Sequence, residues 1–396
     1  MSLESWITKT FANEEPAGFG YGWISGTLSI FLGALSIFAV MCFRWPELFV
    51  MDEMRGKYPI PLMRAILELS IGLSFFLAFL SSMLRKKKVL AVTGLLLALT
   101  AVALGGSDVA IGTYGERRFY LGLDWFILTL LVLTAVFVPM ERIIPYRREQ
   151  SVFRRGWVTD LQHFFVSHLA VQLLTYLTLL PATVLFAWMT GPQLQAAVQS
   201  QPLWLQFIEV MIVADLAEYA IHRTFHTTPW LWRIHAVHHS VEHMDWIAGS
   251  RLHLLEIVII RGGTFMPLYL LGFAQPAVYA YLAFVSFHGV FLHTNTGFRL
   301  GWLEHIIAMP RFHHWHHSSE FEALDKNFAL HFPVIDQIFG TKHLPKDRWP
   351  KTYGVLGYTL PEGWWAQLLW PFRKDGKAPP SVEAHSPAPE VAGHGP

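Results

Sequence analysis

Long apolar runs separated by short polar stretches set the pattern of this chain. Runs near 24–43, 66–84, 89–106 and 124–140 each approach the ~20 apolar residues a helix needs to cross a bilayer. Two more follow at about 165–190 and 202–221, and an apolar block covers about 254–292. Gly262, Gly263 and Pro267 interrupt that block, as do Gly272 and Pro276, so it reads as two spans or a re-entrant pair. Polar breaks fall at Arg85–Lys88, at Arg147–Arg155 and at Gly191–Pro192. The pattern predicts an all-α, polytopic membrane helical bundle.

Composition agrees. Only 15% of the 396 residues are charged and 53% are hydrophobic, whereas a soluble domain carries about 25% charged residues. A net charge of +1 gives no reason to expect a nucleic-acid partner. Cys42 is the only cysteine, which excludes an intrachain disulfide, a bound iron–sulfur cluster and a cysteine-based zinc site. The first 20 residues lack a basic segment followed by a short apolar stretch and cleavage site, so the first apolar run reads as a retained membrane helix.

The chemistry concentrates in the second half. Most of the 20 histidines lie between His222 and His317, and residues 1–112 contain none. Three strings stand out: H-R-T-F-H at His222–His226, H-A-V-H-H at His235–His239, and H-H-W-H-H at His313–His317. On a helix, His222 and His226 share a face. So do His235, His238 and His239, and so do His313, His316 and His317. If the three faces converge, they bring eight imidazoles to one volume. Neutral imidazole suits iron, zinc, copper and nickel rather than magnesium or calcium. Eight ligands are too many for one tetrahedral ion, so two transition-metal ions with open positions are the economical reading.

These strings and their surroundings resemble the fatty acid hydroxylase/sterol desaturase superfamily of integral membrane histidine-box di-iron oxygenases. The resemblance runs over about 118–345. It includes R-G-W-V-T-D-L at Arg155–Leu161, D-L-A-E-Y-A-I-H-R-T-F-H at Asp215–His226, and H-A-V-H-H-S. It continues with R-L-H-L-L-E at Arg251–Glu256, H-T-N-T at His293–Thr296 and P-R-F-H-H-W-H-H-S from Pro310. D-K-N-F-A at Asp325–Ala329 and I-D-Q-I-F-G-T at Ile335–Thr341 close it.

The resemblance implies that His222, His226, His235, His238, His239, His313, His316 and His317 ligate two iron ions, with O2 as co-substrate. A further histidine would complete the site. His293 fits that position best and His253 is the second candidate, while His314 reads as a neighbour of the ligands. Metal-bound imidazoles usually donate their other N–H to a carboxylate or carbonyl. Glu218 stands one turn before His222, Asp215 one turn further back, and Glu256 one turn after His253, so these three acids are the expected outer partners.

The implied activity is hydroxylation of a lipid (fatty acyl, sterol-like or ether lipid), with desaturation as the alternative within the superfamily. A membrane transition-metal transporter is the alternative of another class, and it would need histidines and acids at mid-span. The contexts H-H-S-V-E and H-H-W-H-H-S-S-E lean towards hydroxylation or ether cleavage. No dinucleotide loop, haem motif or cysteine cluster is present, so electrons would come from a reductase with a ferredoxin or cytochrome b5-type carrier. Basic residues between Arg142 and Arg155, read as inside, place the histidine-rich helical cap on the cytoplasmic side.

The expected organisation is an accessory membrane region over 1–112, a catalytic domain over 113–345, a Trp-rich interfacial segment over 346–376 and a disordered Pro/Ala-rich tail over 377–396.

Overall fold

The computed structural model describes residues 20–51, 56–113, 121–151, 153–169, 177, 184 and 186–373. The tail at 377–396 and most of the expected span at 165–190 lie outside them. The described residues are helical and form no strand, only isolated bridges such as Pro145 with Thr296. Two compact units can be distinguished, one running to Thr134 and taking in His168 and Leu169, the other starting at Ala135.

The first unit is built on α1 (Trp23–Arg44), α2 (Ile60–Leu84) and α3 (Val89–Ala103), which a short turn extends to Asp108. Each is long and apolar enough to cross a bilayer. Small residues let their backbones approach closely, the packing mode that lipid favours. Ser29 Oγ donates to Ser74 O at 2.7 Å and Ser74 Oγ returns to Ser29 O at 2.8 Å. A Cβ on Gly94 would overlap the Ser29 side chain. Asp124, in the first turn of α4 (Leu123–Ile143), accepts from Tyr58 Oη at 2.8 Å and from the Met51 N–H at 3.1 Å.

The second unit begins within α4 and continues through α5 (Trp157–Leu169), α6 (Pro192–Gln199), α7 (Leu203–Thr227) and α8 (Pro229–His239). Then come α9 (Leu254–Leu271), α10 (Gln275–His293), α11 (Pro310–His316), α12 (Pro333–Ile338) and α13 (Trp364–Leu369). Val210 and Ala214 of α7, Leu268 of α9 and Tyr281 of α10 share one buried cluster.

The apolar block at 254–292 is two helices, α9 and α10, broken only at Gly272, which takes a left-handed φ of 70° at the end of α9. Gly262, Gly263 and Pro267 all stay inside α9. Gly263 serves contact rather than a break, since a Cβ there would overlap the Ile221 side chain of α7.

Among the described residues six helices have the length and apolarity to span, and the run at 202–221 is not among them. It forms the 25-residue α7, which carries Glu209, Asp215 and Glu218. The Trp-rich segment, expected to lie at an interface, packs into the second unit. Trp365 and Phe372 are exposed, but Gln367 and Trp370 are buried. Gln367 Oε1 lies 2.9 Å from His163 Nε2 of α5, and Trp232 Nε1 of α8 donates to Tyr358 Oη at 3.1 Å.

Candidate metal centre

Four chain segments bring nine histidines together. His222 and His226 end α7. His235, His238 and His239 form the last two turns of α8. His293 ends α10. His313 and His316 lie in α11, and His317 caps it. They divide into two groups: His222, His226, His235, His239 and His316, and His238, His293, His313 and His317. Within each group the ligand nitrogens all lie within 4.8 Å of one another. The groups adjoin, with the His239 and His317 ring centroids 4.6 Å apart.

Outer acceptors set the proton on six of the nine rings. His222 Nδ1 donates to Phe328 O at 2.8 Å, His235 Nδ1 to Glu256 Oε1 at 2.7 Å and His316 Nδ1 to Lys326 O at 2.8 Å. His226 Nδ1 donates to Asp325 Oδ1 at 3.2 Å, His238 Nδ1 to Arg251 O at 3.1 Å and His293 Nδ1 to Gly289 O at 2.7 Å. With Nδ1 protonated, each Nε2 is a bare lone pair. Yet His222 Nε2 and His235 Nε2 are 3.0 Å apart, and His238 Nε2 and His293 Nε2 are 3.3 Å apart. Lone pairs do not face each other at that distance without a cation between them. The Nε2 atoms of His226 and His316 are buried with no hydrogen-bond partner. The donor set, its burial and its tautomers thus fit transition-metal ions.

Burial, reinforced by neighbouring rings, holds His235, His238, His239, His313, His316 and His317 well below the usual imidazole pKa. They are therefore neutral, the form that ligates. Phe328 and Trp232 wall one side, with ring centroids 5.1 and 4.8 Å from His226.

The two groups are supported unequally. In the four-histidine group, His313 and His317 leave Nδ1 buried without an acceptor among the described residues.

Several expected residues have other duties. His253 joins neither group. Its Nδ1 accepts from the Leu255 N–H at 3.1 Å, capping α9, and its Nε2 donates to Leu368 O at 3.0 Å. Both ring nitrogens are thus taken by backbone groups. Asp215 does not partner His222. It accepts three backbone N–H groups, from Leu330, His331 and Phe332, at 2.7, 3.0 and 2.7 Å. Glu218 is partly buried and makes no hydrogen bond among the described residues, and Phe328 O occupies the position expected of it at His222. Glu256 lies against His235, with Oε1 2.7 Å from its Nδ1. His314 joins neither group: its Nε2 donates to Thr294 O at 3.1 Å and its Nδ1 accepts from Tyr353 Oη at 2.8 Å.

The partners that sequence reasoning missed are mostly carbonyls, which carry no residue-type signal. The detectable trace was D-K-N-F-A. Asp325 and Asn327 take left-handed φ values of 54° and 60°, which Asp and Asn tolerate better than most residues. Those turns aim Lys326 O and Phe328 O at His316 and His222.

Beneath the site, Arg154 pairs with Asp160 at 2.5 Å and with Asp245 at 2.6 Å, and Arg251 pairs with Asp160 at 2.5 Å. All four side chains are buried, and the Arg251 carbonyl is the acceptor for His238.

A helical membrane protein with paired, buried, all-imidazole groups is a narrow class, and comparison with known sequences identifies it. The fatty acid hydroxylase profile matches residues 207–341. An ornithine lipid hydroxylase of Rhizobium tropici is 30% identical over 271 residues, covering 67% of this chain and 81% of the relative. Human alkylglycerol monooxygenase is 34% identical over 128 residues, 32% of this chain and 28% of that protein. A putative methylsterol monooxygenase of Dictyostelium discoideum is 27% identical over 236 residues, 58% of this chain and 86% of the relative. No solved structure matches. The chain belongs to the fatty acid hydroxylase family, and it is a membrane oxidoreductase of the hydroxylase and monooxygenase kind.

Proposed function

We propose that this protein is an O2-dependent di-iron monooxygenase that hydroxylates a headgroup-bearing lipid. The observation that carries the reading is the set of facing Nε2 lone pairs in both histidine groups, each fixed by an Nδ1–H donated outward. We assign His222, His226, His235, His239 and His316 to one iron, and His238, His293, His313 and His317 to the other. When bound, the two irons would supply reductive activation of O2 and insertion of one oxygen atom into a C–H bond.

The chain's own part is positional. Glu256, Asp325 and the Phe328, Lys326, Arg251 and Gly289 carbonyls hold the rings in one tautomer and one orientation. Phe328, Trp232 and Phe225 limit water at the five-histidine group. The groups stand at helix ends, not at mid-span as a metal transporter would need: His222 and His226 close α7 and His293 closes α10. A lipid can therefore reach the site from the bilayer. Electrons come from a separate reductase and one-electron carrier, and the site faces the cytoplasm.

The test is elemental analysis of purified protein followed by turnover under labelled O2 with a reductase and carrier. About two irons per chain and one labelled oxygen in the lipid product are expected, consistent with imidazole-rich sites. An active preparation free of transition metal would overturn the reading. An unlabelled, newly unsaturated product would replace hydroxylation with desaturation.

A further inference from the structure

Where α4 ends, the second unit holds a cavity of about 310 Å³. Arg142, Arg147 and Arg148 line it, with Glu141, Trp246 and Asn295. Nothing in the metal centre uses it.

The charges within it are unevenly engaged. Glu141 Oε1 accepts the Trp246 N–H at 2.7 Å and the Asn295 N–H at 2.9 Å. Asp245, also in the wall, is held by Arg154. Arg147 donates to Pro350 O and Lys351 O at 3.2 and 2.7 Å and lies 4.7 Å over the Tyr353 ring. Its guanidinium is thus pinned in place. Arg142 and Arg148 differ: both are exposed, and neither makes a hydrogen bond or ion pair among the described residues. Among the described residues the cavity therefore presents two guanidiniums with no hydrogen-bonded partner, beside acids that already have donors.

Its place in the fold says what would occupy it. Arg142 is in the last turn of α4, a helix long and apolar enough to span. That puts the cavity at headgroup depth. Ile143 and Ile144, next in the chain, are exposed and offer apolar surface to acyl chains. The wall also adjoins the metal centre, since Asn295 follows His293 by two residues, a separation of at most about 7 Å along the backbone. Two guanidiniums lining one cavity suit an oxyanion, which they can hold through charge-assisted hydrogen bonds.

We propose that Arg142 and Arg148 form a headgroup subsite for a net-anionic lipid, whose phosphate or carboxylate is not offset by a cation of its own headgroup, at the membrane surface beside His293. The proposal rests on the lipid-hydroxylase reading, but the metal centre does not depend on it.

Binding to purified metal-loaded protein in detergent tests it, using native mass spectrometry with short-chain phosphatidylglycerol, phosphatidylcholine of equal chain length, and inorganic phosphate. Wild-type protein should prefer phosphatidylglycerol over phosphatidylcholine by roughly thirtyfold, as two arginines at an anionic surface imply. R142Q/R148Q should lose that preference while keeping its metals, and R142K/R148K should keep most of it. Equal binding of the two lipids by wild-type protein overturns the proposal whether or not any variant folds. So does an unchanged preference in R142Q/R148Q. Inorganic phosphate competing as well as the lipid would make this a small-anion site. A glutamine pair that binds lipid normally but no longer accepts electrons from its carrier would make it a protein-docking patch. Either result overturns the proposal and leaves the di-iron assignment standing, because metal content is read separately.

Discussion

A neutral imidazole has one proton for two nitrogens, so whatever accepts at Nδ1 decides what Nε2 can do. His222, His235, His238 and His293 each give the Nδ1 proton to a carbonyl or carboxylate, which leaves Nε2 free for a metal. His253 uses both nitrogens on backbone groups and has nothing left to offer. His235→Ala and His238→Ala should each lower bound iron by about one per chain and abolish turnover, since a lost ligand opens the coordination shell. His253→Ala should keep both irons and cost about 2 kcal/mol, because it removes the helix cap and also strands Leu368 O. Full metal occupancy in His238→Ala would sink the assignment.

His314 gives the pH prediction. Burial pushes its pKa down to about 3, and His331, also buried, is likewise pushed down to about 3. Unfolded, each would protonate near 6.5. A depressed folded pKa means that unfolding takes up a proton, so stability is full above about 6.5 and falls as the pH drops towards 3. Each such histidine contributes a slope of about 1.4 kcal/mol per pH unit. His314→Ala should flatten part of that slope and cost about 2 kcal/mol at neutral pH by stranding the buried partners of two hydrogen bonds. Chemical denaturation at several pH values checks both. Spacing alone could not separate His293 from His253, because each stands at a helix end beside an apolar run. What distinguishes them is the acceptor each meets across the fold.

At the scale of an element, the segment from Asp325 to Phe332 governs the five-histidine group without ligating anything. Asp215 holds its far end through three N–H groups, and Asp336 holds its middle through the Phe328 and Ala329 N–H groups, both at 2.8 Å. Asn327 fixes its start by donating to Phe312 O and His343 O. Asp215→Asn keeps the shape but replaces a carboxylate that accepts three bonds with a weaker acceptor. The segment should loosen, and iron affinity should fall about 10- to 100-fold, the usual effect of losing outer-sphere support. Iron retention during chelator competition, with helicity followed by circular dichroism, measures this. Unchanged retention would mean the segment holds its carbonyls without Asp215.

The helices themselves were legible wherever apolarity decides, as in α1 to α4. They were less so where packing decides. Gly262, Gly263 and Pro267 look like breaks in one dimension, but the close approach of Gly263 to Ile221 keeps α9 continuous. In α7, Asp215 is buried because it accepts from a segment more than a hundred residues later, a reason for an acid in an apolar helix that no local pattern reveals.

At the scale of the whole molecule, every histidine of the two groups and every outer partner lies in the second compact unit. The first unit has its own core, in which Val40, Leu67, Ile71 and Ala101 pack together, and its own polar links between helices. A chain lacking residues 1–112 should therefore still bind about two irons, since no ligand or support is removed. It should not be fully stable. Asp124 keeps its place in α4 but loses Tyr58 Oη and the Met51 N–H, leaving its carboxyl only the backbone N–H groups of Asp124 and Trp125 near the start of an apolar helix. Such a group costs about 1–3 kcal/mol or more. The shortened chain should melt lower, and Asp124→Leu within it should recover most of the loss by removing the group that needs a partner. In the full-length chain the same substitution should destabilise, because there it breaks two good hydrogen bonds. Melting of the four proteins in one detergent, with iron measured in each, resolves this. Loss of iron from the shortened chain with its helicity intact would show that the first unit supports the metal centre directly. Loss of stability without rescue by Asp124→Leu would place the coupling elsewhere than at this carboxylate.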